Sequence, residues 1–176
     1  MVLIDESGFM LQPLTRRTWA PRGKTPILQA WDRHDRITAI TALTLTPRRG
    51  RCDLYFKLLS HNAKAEDCFW FLIELRQEIG RPLLVVWDRL SAHCKSERYC
   101  QELDIKWIDF EYFPPYCPDL DPVEHVWTTT KWGRLANYAA PDATTLKQRV
   151  KEELEQQSRT PKALKAHFRW AGLDLS

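Results

Sequence analysis

Phe113-Pro114-Pro115-Tyr116-Cys117-Pro118-Asp119-Leu120-Asp121-Pro122-Val123-Glu124-His125-Val126-Trp127 is the stretch around which this 176-residue chain is organised. Its four prolines stiffen a turn, and the turn runs into a segment patterned as a helix. Read as helix-start chemistry, Asp121 is the N-cap and Pro122 takes the first helical position, where its missing N–H costs nothing. Glu124 then completes a capping box. Read as site chemistry, the stiff turn holds the Glu124 carboxylate at a fixed place for a metal ion. Glu124 alone does not choose between the two. Other carboxylates at the ends of strands would.

Two such carboxylates lie upstream. Leu83-Leu84-Val85-Val86-Trp87 is a continuous apolar run, expected to be a central strand covered on both faces, and it ends in Asp88. Val2-Leu3-Ile4 is a second buried strand, ending in a turn at Asp5-Glu6-Ser7-Gly8. Between them, the alternation over 37–45 and the return over 52–59 predict a hairpin whose tip carries Arg48, Arg49 and Arg51. Cys68, Phe71, Leu72, Leu75 and Ile79 then fall on one face of a helix over 63–79. A helix over 89–103 and a strand over 105–110 lead back to the Pro-rich turn. After it, helices are expected over 122–135 and 144–157, with a last short one opening at Pro161. On the first of these, Val123, Val126, Trp127, Thr130 and Arg134 share one direction, with Glu124 at the edge of that stripe.

The expected architecture is therefore α/β. A mixed central sheet, hairpin plus parallel strands, is flanked by helices, with extra helices at the C-terminal end. Length and an apolar content of 44% suit one domain spanning 1–176. No apolar run is long enough for a membrane span, and no secretory leader opens the chain. A net charge of +3 permits nucleic acid as a partner without demanding it. The basic stretch with Arg16, Arg17, Trp19, Arg22 and Lys24 reads as an exposed loop suited to phosphate contact and stacking, or as a solvated loop with Trp19 tucked into the core. Five cysteines, with no C-x-x-C pair, read as reduced thiols of a cytoplasmic protein. His93, Cys94 and Cys100 do not match a zinc-ligand spacing.

Three carboxylates at one rim of a sheet make a hard-oxygen site for Mg²⁺ or Mn²⁺. Two like charges at 4 Å repel by about 4 kcal/mol at an effective dielectric of 20, so the cluster calls for cations. Two ions there would activate water and stabilise the leaving oxygen of a phosphodiester.

Ile4-Asp5-Glu6-Ser7-Gly8, Val86-Trp87-Asp88-Arg89-Leu90-Ser91-Ala92-His93 and the block from Pro114 to Trp127 resemble the three blocks of the DDE transposases, in the mariner-like superfamily and its bacterial insertion-sequence branch. The resemblance implies a ribonuclease-H-like fold and metal-dependent cleavage and strand transfer of DNA. By position, Asp5, Asp88 and Glu124 match the catalytic, metal-binding triad, and the 35 residues between Asp88 and Glu124 are close to the family's usual interval. In two-metal terms Asp5 would bridge both ions, Asp88 hold one and Glu124 the other. Glu6, Asp119 and Asp121 are the competing carboxylates, best explained as turn and cap residues. His93 would contact the scissile phosphate or be a packed, supporting histidine. Arg48, Arg49 and Lys131 join the basic loop as DNA-binding candidates.

The resemblance further implies transposon ends and target DNA as partners, a homodimer assembled on DNA, and action on the bacterial nucleoid. The chain departs from it twice. Asp121 stands where the family commonly has Asn, which adds a negative charge near the metals. Helix-turn-helix domains usually precede the first Asp, whereas four residues precede Asp5. The expectation is a catalytic domain alone, with end recognition on a separate helix-turn-helix polypeptide. The rival readings are a decayed or repurposed DNA-binding or assembly module, and another nuclease of the same fold.

Overall fold

The computed structural model describes residues 1–29, 35–48, 50–173 and 175. At its centre is a mixed sheet of five strands in the order β3-β2-β1-β4-β5: β1 is Val2–Met10, β2 Arg36–Leu45, β3 Cys52–Leu59, β4 Leu83–Trp87 and β5 Ile108–Tyr112. The first three pair antiparallel, while β4 lies parallel to β1 and β5 parallel to β4. The helices are α1 (Ala65–Ile79), α2 (Ser91–Glu102), α3 (Pro122–Thr128), α4 (Ala143–Ser158) and α5 (Pro161–Trp170). Among the described residues no helix is long and apolar enough to cross a membrane.

The two sheet faces carry two separate cores. Val2, Ile4, Ile40 and Val85 pack under α1 and α2 with Cys68, Leu72 and Cys100. Leu3, Phe9, Leu43 and Leu54 pack under α3, α4 and α5 with Val126, Trp127, Val150 and Phe168. Side chains alternate along a strand, so Asp5, two residues after Leu3, belongs to the α3 side. Glu6, two residues after Ile4, belongs to the α1/α2 side. Local chemistry sets the helix ends. Asp67 Oδ2 accepts the Lys64 N–H at the start of α1 (2.9 Å), and Gly80 at φ 68° ends it by donating to Arg76 O.

Four sequence expectations are corrected here. The segment Asp5 to Gly8 is strand, not turn, because the ten-residue β2 keeps pairing with β1 as far as Met10↔Arg36. β4 is not covered on both faces: Leu83, Val85 and Trp87 are buried, whereas Leu84 is exposed. β5 begins three residues later than expected because the chain first closes α2, Ile105 N–H donating to Cys100 O. The expected helix over 122–135 is α-helical only to Thr128 and continues as a π-helical turn, Thr129–Arg134.

Candidate functional site

β1 and β4 are registered Val2↔Val85 and Leu3↔Val86, so two more steps bring Asp5 opposite Asp88. β4 stops at Trp87 while β1 runs on. Asp5 is therefore mid-strand on β1 yet sits at the carboxyl end of the parallel pair, where open α/β sheets commonly place their sites. β5 delivers the third arm. Phe113 N–H donates to Trp87 O (2.9 Å), and the Pro-rich turn then reverses the chain through a 3₁₀ turn at Pro118–Leu120. Asp121 caps α3 by accepting the Val123 N–H at Oδ1 (2.9 Å). Its own N–H donates to Pro118 O, so the expected capping box does not close and Glu124 is not the cap's second half. Glu124 points instead into a cleft of about 360 Å³ that Asp5, Asp88, Asp121, Arg89 and Tyr116 also line. The indole N–H of Trp127 donates to Asp5 Oδ2 (2.7 Å) and ties α3 to β1.

This cleft is short of positive charge. Burial pushes the Asp5 carboxyl up to about 7; the Trp127 hydrogen bond opposes this, and Glu6 and Glu124 add repulsion. Burial, then the charge of Asp5, pushes Asp121 up to about 8. Asp88 behaves in the opposite way: it is held below the usual carboxylate range, first by the His93 hydrogen bond. Besides Arg89 on the cleft wall, Lys131 is a nearby cation. Its Nζ donates to Ser7 Oγ (2.7 Å) and lies 5.2 Å over the Phe9 ring, and burial lowers its pKa. It is a half-buried neighbour of the carboxylates.

His93 is fully buried, so of its two expected roles it fits the packed, supporting one rather than contact with a DNA phosphate. Nδ1–H donates to Asp88 Oδ1 (2.7 Å), and Nε2–H faces both oxygens of Glu6 (2.8 and 2.9 Å). The ring stacks on Trp87 with centroids 4.5 Å apart. Burial would lower its pKa, but Asp88, Cys68 and Glu6 together push it up to about 12. The Cys68 thiol donates to Glu6 Oε1 (3.1 Å). Glu6, Cys68 and His93 thus cluster, as three potential ligands, on the opposite face of the sheet from Asp5. The 2.8 Å between His93 Nε2 and Glu6 is a hydrogen-bond distance, closer than two atoms sharing one tetrahedral zinc at about 2.0 Å each. Neither this group nor His93, Cys94 and Cys100 reads as a zinc centre.

The basic candidates are spread out. Arg16 is docked: its N–H donates to Asn137 Oδ1 and its Nη1 to Trp132 O, on the turn that follows α3. Beyond it Arg17, Arg22 and Lys24 are exposed, and Trp19 is 100% exposed, so the reading that tucks Trp19 into the core is wrong. Arg48 is exposed at the hairpin tip. That tip lies beyond Leu45, four residues past Asp5's partner Thr41, so it is at least about 13 Å along the strand from the cleft. Arg49 lies outside the described residues. Arg89 and Tyr116 are cleft residues that the sequence reading did not single out. Arg89 had one available signal, its place directly after Asp88.

Chemically the cleft gathers four carboxylates, Asp5, Asp88, Asp121 and Glu124, with one cysteine, Cys117, on its wall; the hard oxygen donors suit Mg²⁺ or Mn²⁺. The family model described as DDE superfamily endonuclease matches residues 1–147. No curated protein matches the chain. Among solved structures, the Mos1 mariner paired end complex with Mn superposes with a TM-score of 0.65 at 16% identity, covering 97% of this chain and 51% of that one. The Mos1 Strand Transfer Complex gives 0.63 at 16% identity, covering 97% and 50%. A simian T-cell lymphotropic virus intasome in complex with PP2A regulatory subunit B56 gamma gives 0.52 at 13%, covering 85% and 46%. The shared fold is ribonuclease-H-like, and the chain spans about half the length of these solved relatives.

Proposed function

This chain belongs to the DDE superfamily endonuclease family, and from that premise we propose that it is the catalytic domain of a DNA transposase, with Asp5, Asp88 and Glu124 as its catalytic metal ligands. One observation carries the reading. Carboxylates from β1, the end of β4 and the start of α3 converge on a single cleft, where burial first, and then repulsion between carboxylates, pushes Asp5 up to about 7 and Asp121 up to about 8.

Asp5 faces Asp88 across the strand pair and Glu124 across the packing of α3, so it would be the carboxylate shared between two bound ions. Asp88 and Glu124 would each complete one. Bound there, Mg²⁺ or Mn²⁺ supplies Lewis acidity: a more acidic attacking water or 3′-hydroxyl and a stabilised leaving oxygen. Solved complexes of Mos1 with Mn and with Mg support these ions. The chain's own residues do the rest. Trp127 and His93 hold Asp5 and Asp88 in place, and the Pro-rich turn walls the cleft beside Arg89 and Tyr116, where a phosphate and a splayed base would lie. The exposed loop with Arg17, Trp19, Arg22 and Lys24 would grip the duplex. The Mos1 paired-end and strand-transfer complexes support transposon ends and target DNA as substrates. Placement in the bacterial insertion-sequence branch, end recognition by a separate helix-turn-helix polypeptide, a homodimer on DNA and work at the nucleoid belong to the same proposal.

The test uses the full chain, a supercoiled plasmid, and a labelled oligonucleotide with a free 3′-hydroxyl. The plasmid should be nicked only with Mg²⁺ or Mn²⁺, and the oligonucleotide should become joined to it. Asp88→Asn should reduce both to background in a chain that stays folded at the assay temperature but melts lower, because the buried His93 loses its charged partner. Full nicking by Asp88→Asn would remove the triad assignment. Cleavage without joining would favour another nuclease of this fold.

A further inference from the structure

We propose that His93 is a positioning residue. Anchored by Glu6 at Nε2, it fixes the Asp88 carboxylate through Nδ1–H and so leaves Asp88 Oδ2 for the cleft. This inference rests on the metal-site reading above. Asp88 needs such a tether, because it stands just past the end of β4 with its side chain 58% exposed. A carboxylate that open samples several rotamers and must lose that freedom to bind an ion. Two donors hold its Oδ1: the Leu90 N–H at 2.9 Å and His93 Nδ1–H at 2.7 Å.

The donor is itself fixed in every direction. Its ring is fully buried and stacks on Trp87 at 9° from parallel, which sets its plane. Trp87 is stacked in turn on Phe110 at 5.1 Å, so β4 and β5 brace the ring from behind. Rotation within that plane is stopped at the far edge by Glu6. Glu6 is therefore not a spare metal ligand. Pleat parity places it on the opposite face from Asp5, where it is held by His93 and Cys68. The pair Asp5-Glu6 thus divides the work. Asp5 lines the cleft, and Glu6 reaches Asp88 from behind the sheet through His93.

The test compares two substitutions that remove the same positive charge but keep different donors. In His93→Asn the amide nitrogen falls where Nδ1 was and still reaches Asp88. In His93→Gln it falls where Nε2 was and reaches only Glu6. Mn²⁺ binding to the full chain is measured by the electron paramagnetic resonance of the free ion. Positioning predicts that His93→Asn stays within about threefold of the unaltered chain while His93→Gln weakens roughly tenfold or more. Loss of charge alone predicts that both variants bind tighter and equally, so equal affinities overturn the proposal. Asp88→Asn is measured beside them. If it binds Mn²⁺ as the unaltered chain does, the site reading and this inference fall together. If it loses binding while the two His93 variants stay alike, only the inference falls. Should a variant melt below the assay temperature, the unaltered chain decides. On titration with Mg²⁺, the His93 Nδ1–H proton resonance should shift more than Nε2–H, and no difference between them overturns the proposal.

Discussion

Asp5 and Glu6 are neighbours in sequence and opposites in the fold, and one residue of strand pleat separates them. What marks Asp5 is the Trp127 indole N–H at 2.7 Å, a donor that favours the charged carboxylate against burial. Trp127→Phe removes that donor and keeps a ring in the pocket. Its loss should raise the Asp5 pKa beyond about 7, so Mn²⁺ binding measured from pH 6 to 9 should need a higher pH to reach its plateau. The buried carboxylate loses one partner, which costs about 1–3 kcal/mol of stability. An unmoved binding profile would mean that Trp127 only fills space. At this scale much was legible. Asp5 and Asp88 stood at the ends of apolar runs, and the Asp121 cap is local chemistry that proline and spacing announce. The Glu6–His93 contact was not legible, because it joins residues 87 apart through a parallel pairing that no local pattern encodes. The rise of Asp121 to about 8 depends in the same way on charges from other elements.

The helix that carries Glu124 shows what periodicity misses at the scale of an element. A 100° wheel put Arg134 on the buried stripe with Val123, Val126, Trp127 and Thr130, and the last four are buried as expected. Arg134 is exposed because the π-helical turn Thr129–Arg134 inserts an extra residue and rotates the stripe. A buried relay accompanies that turn. His167 Nε2–H donates to Gln157 Oε1 (3.1 Å), Gln157 Nε2–H to Thr130 Oγ1 (2.8 Å), and Thr130 Oγ1–H to Val126 O (2.8 Å). Burial lowers the His167 pKa to about 4, so the imidazole acts as a neutral donor. The relay links α4 and α5 to the helix that presents Glu124. Thr130→Val keeps the shape and strands the Gln157 amide. It should cost about 1–3 kcal/mol, or roughly 2–4 °C of melting temperature per kcal/mol for a domain of this size. Thr128→Val, on the exposed side of α3, should stay within about 0.5 kcal/mol. Equal melting temperatures for the two variants would deny the relay a stabilising role. The α4 and α5 helices were legible from their apolar spacing, but their job of backing α3 was not, since it depends on packing across the sheet.

For the whole molecule, strand identities and the hairpin could be read locally, whereas the strand order β3-β2-β1-β4-β5 is set by long-range pairing, and that order builds the cleft. It concentrates carboxylates in a chain whose net charge is +3, which makes stability depend on pH. Asp5 and Asp121 have folded pKa values of about 7 and about 8, above their ordinary 3.8. Between those limits the folded chain holds protons that the unfolded chain has released. Their contribution is complete below about pH 4 and is lost as pH rises toward 7 and 8. His93, raised to about 12, adds the same sign above its ordinary 6.5. The metal-free protein should therefore melt lower at pH 8 than at pH 5. Each raised carboxyl contributes at most about 1.4 kcal/mol per pH unit, and the two do not add fully because they repel one another. Mg²⁺ binds the deprotonated cleft, so the gap between loaded and metal-free melting temperatures should widen from pH 5 to pH 8. Asp121→Asn separates the terms. Asn caps a helix as well as Asp does, so the start of α3 survives while one cleft charge disappears. The variant should melt above the unaltered metal-free chain at pH 8 and level with it at pH 5. The slope that remains belongs to Asp5 and His93, opposed up to about pH 6.5 by His167, whose lowered pKa has the reverse sign. A metal-free melting profile that is flat across this range in both proteins would show that the cleft holds no such excess of negative charge.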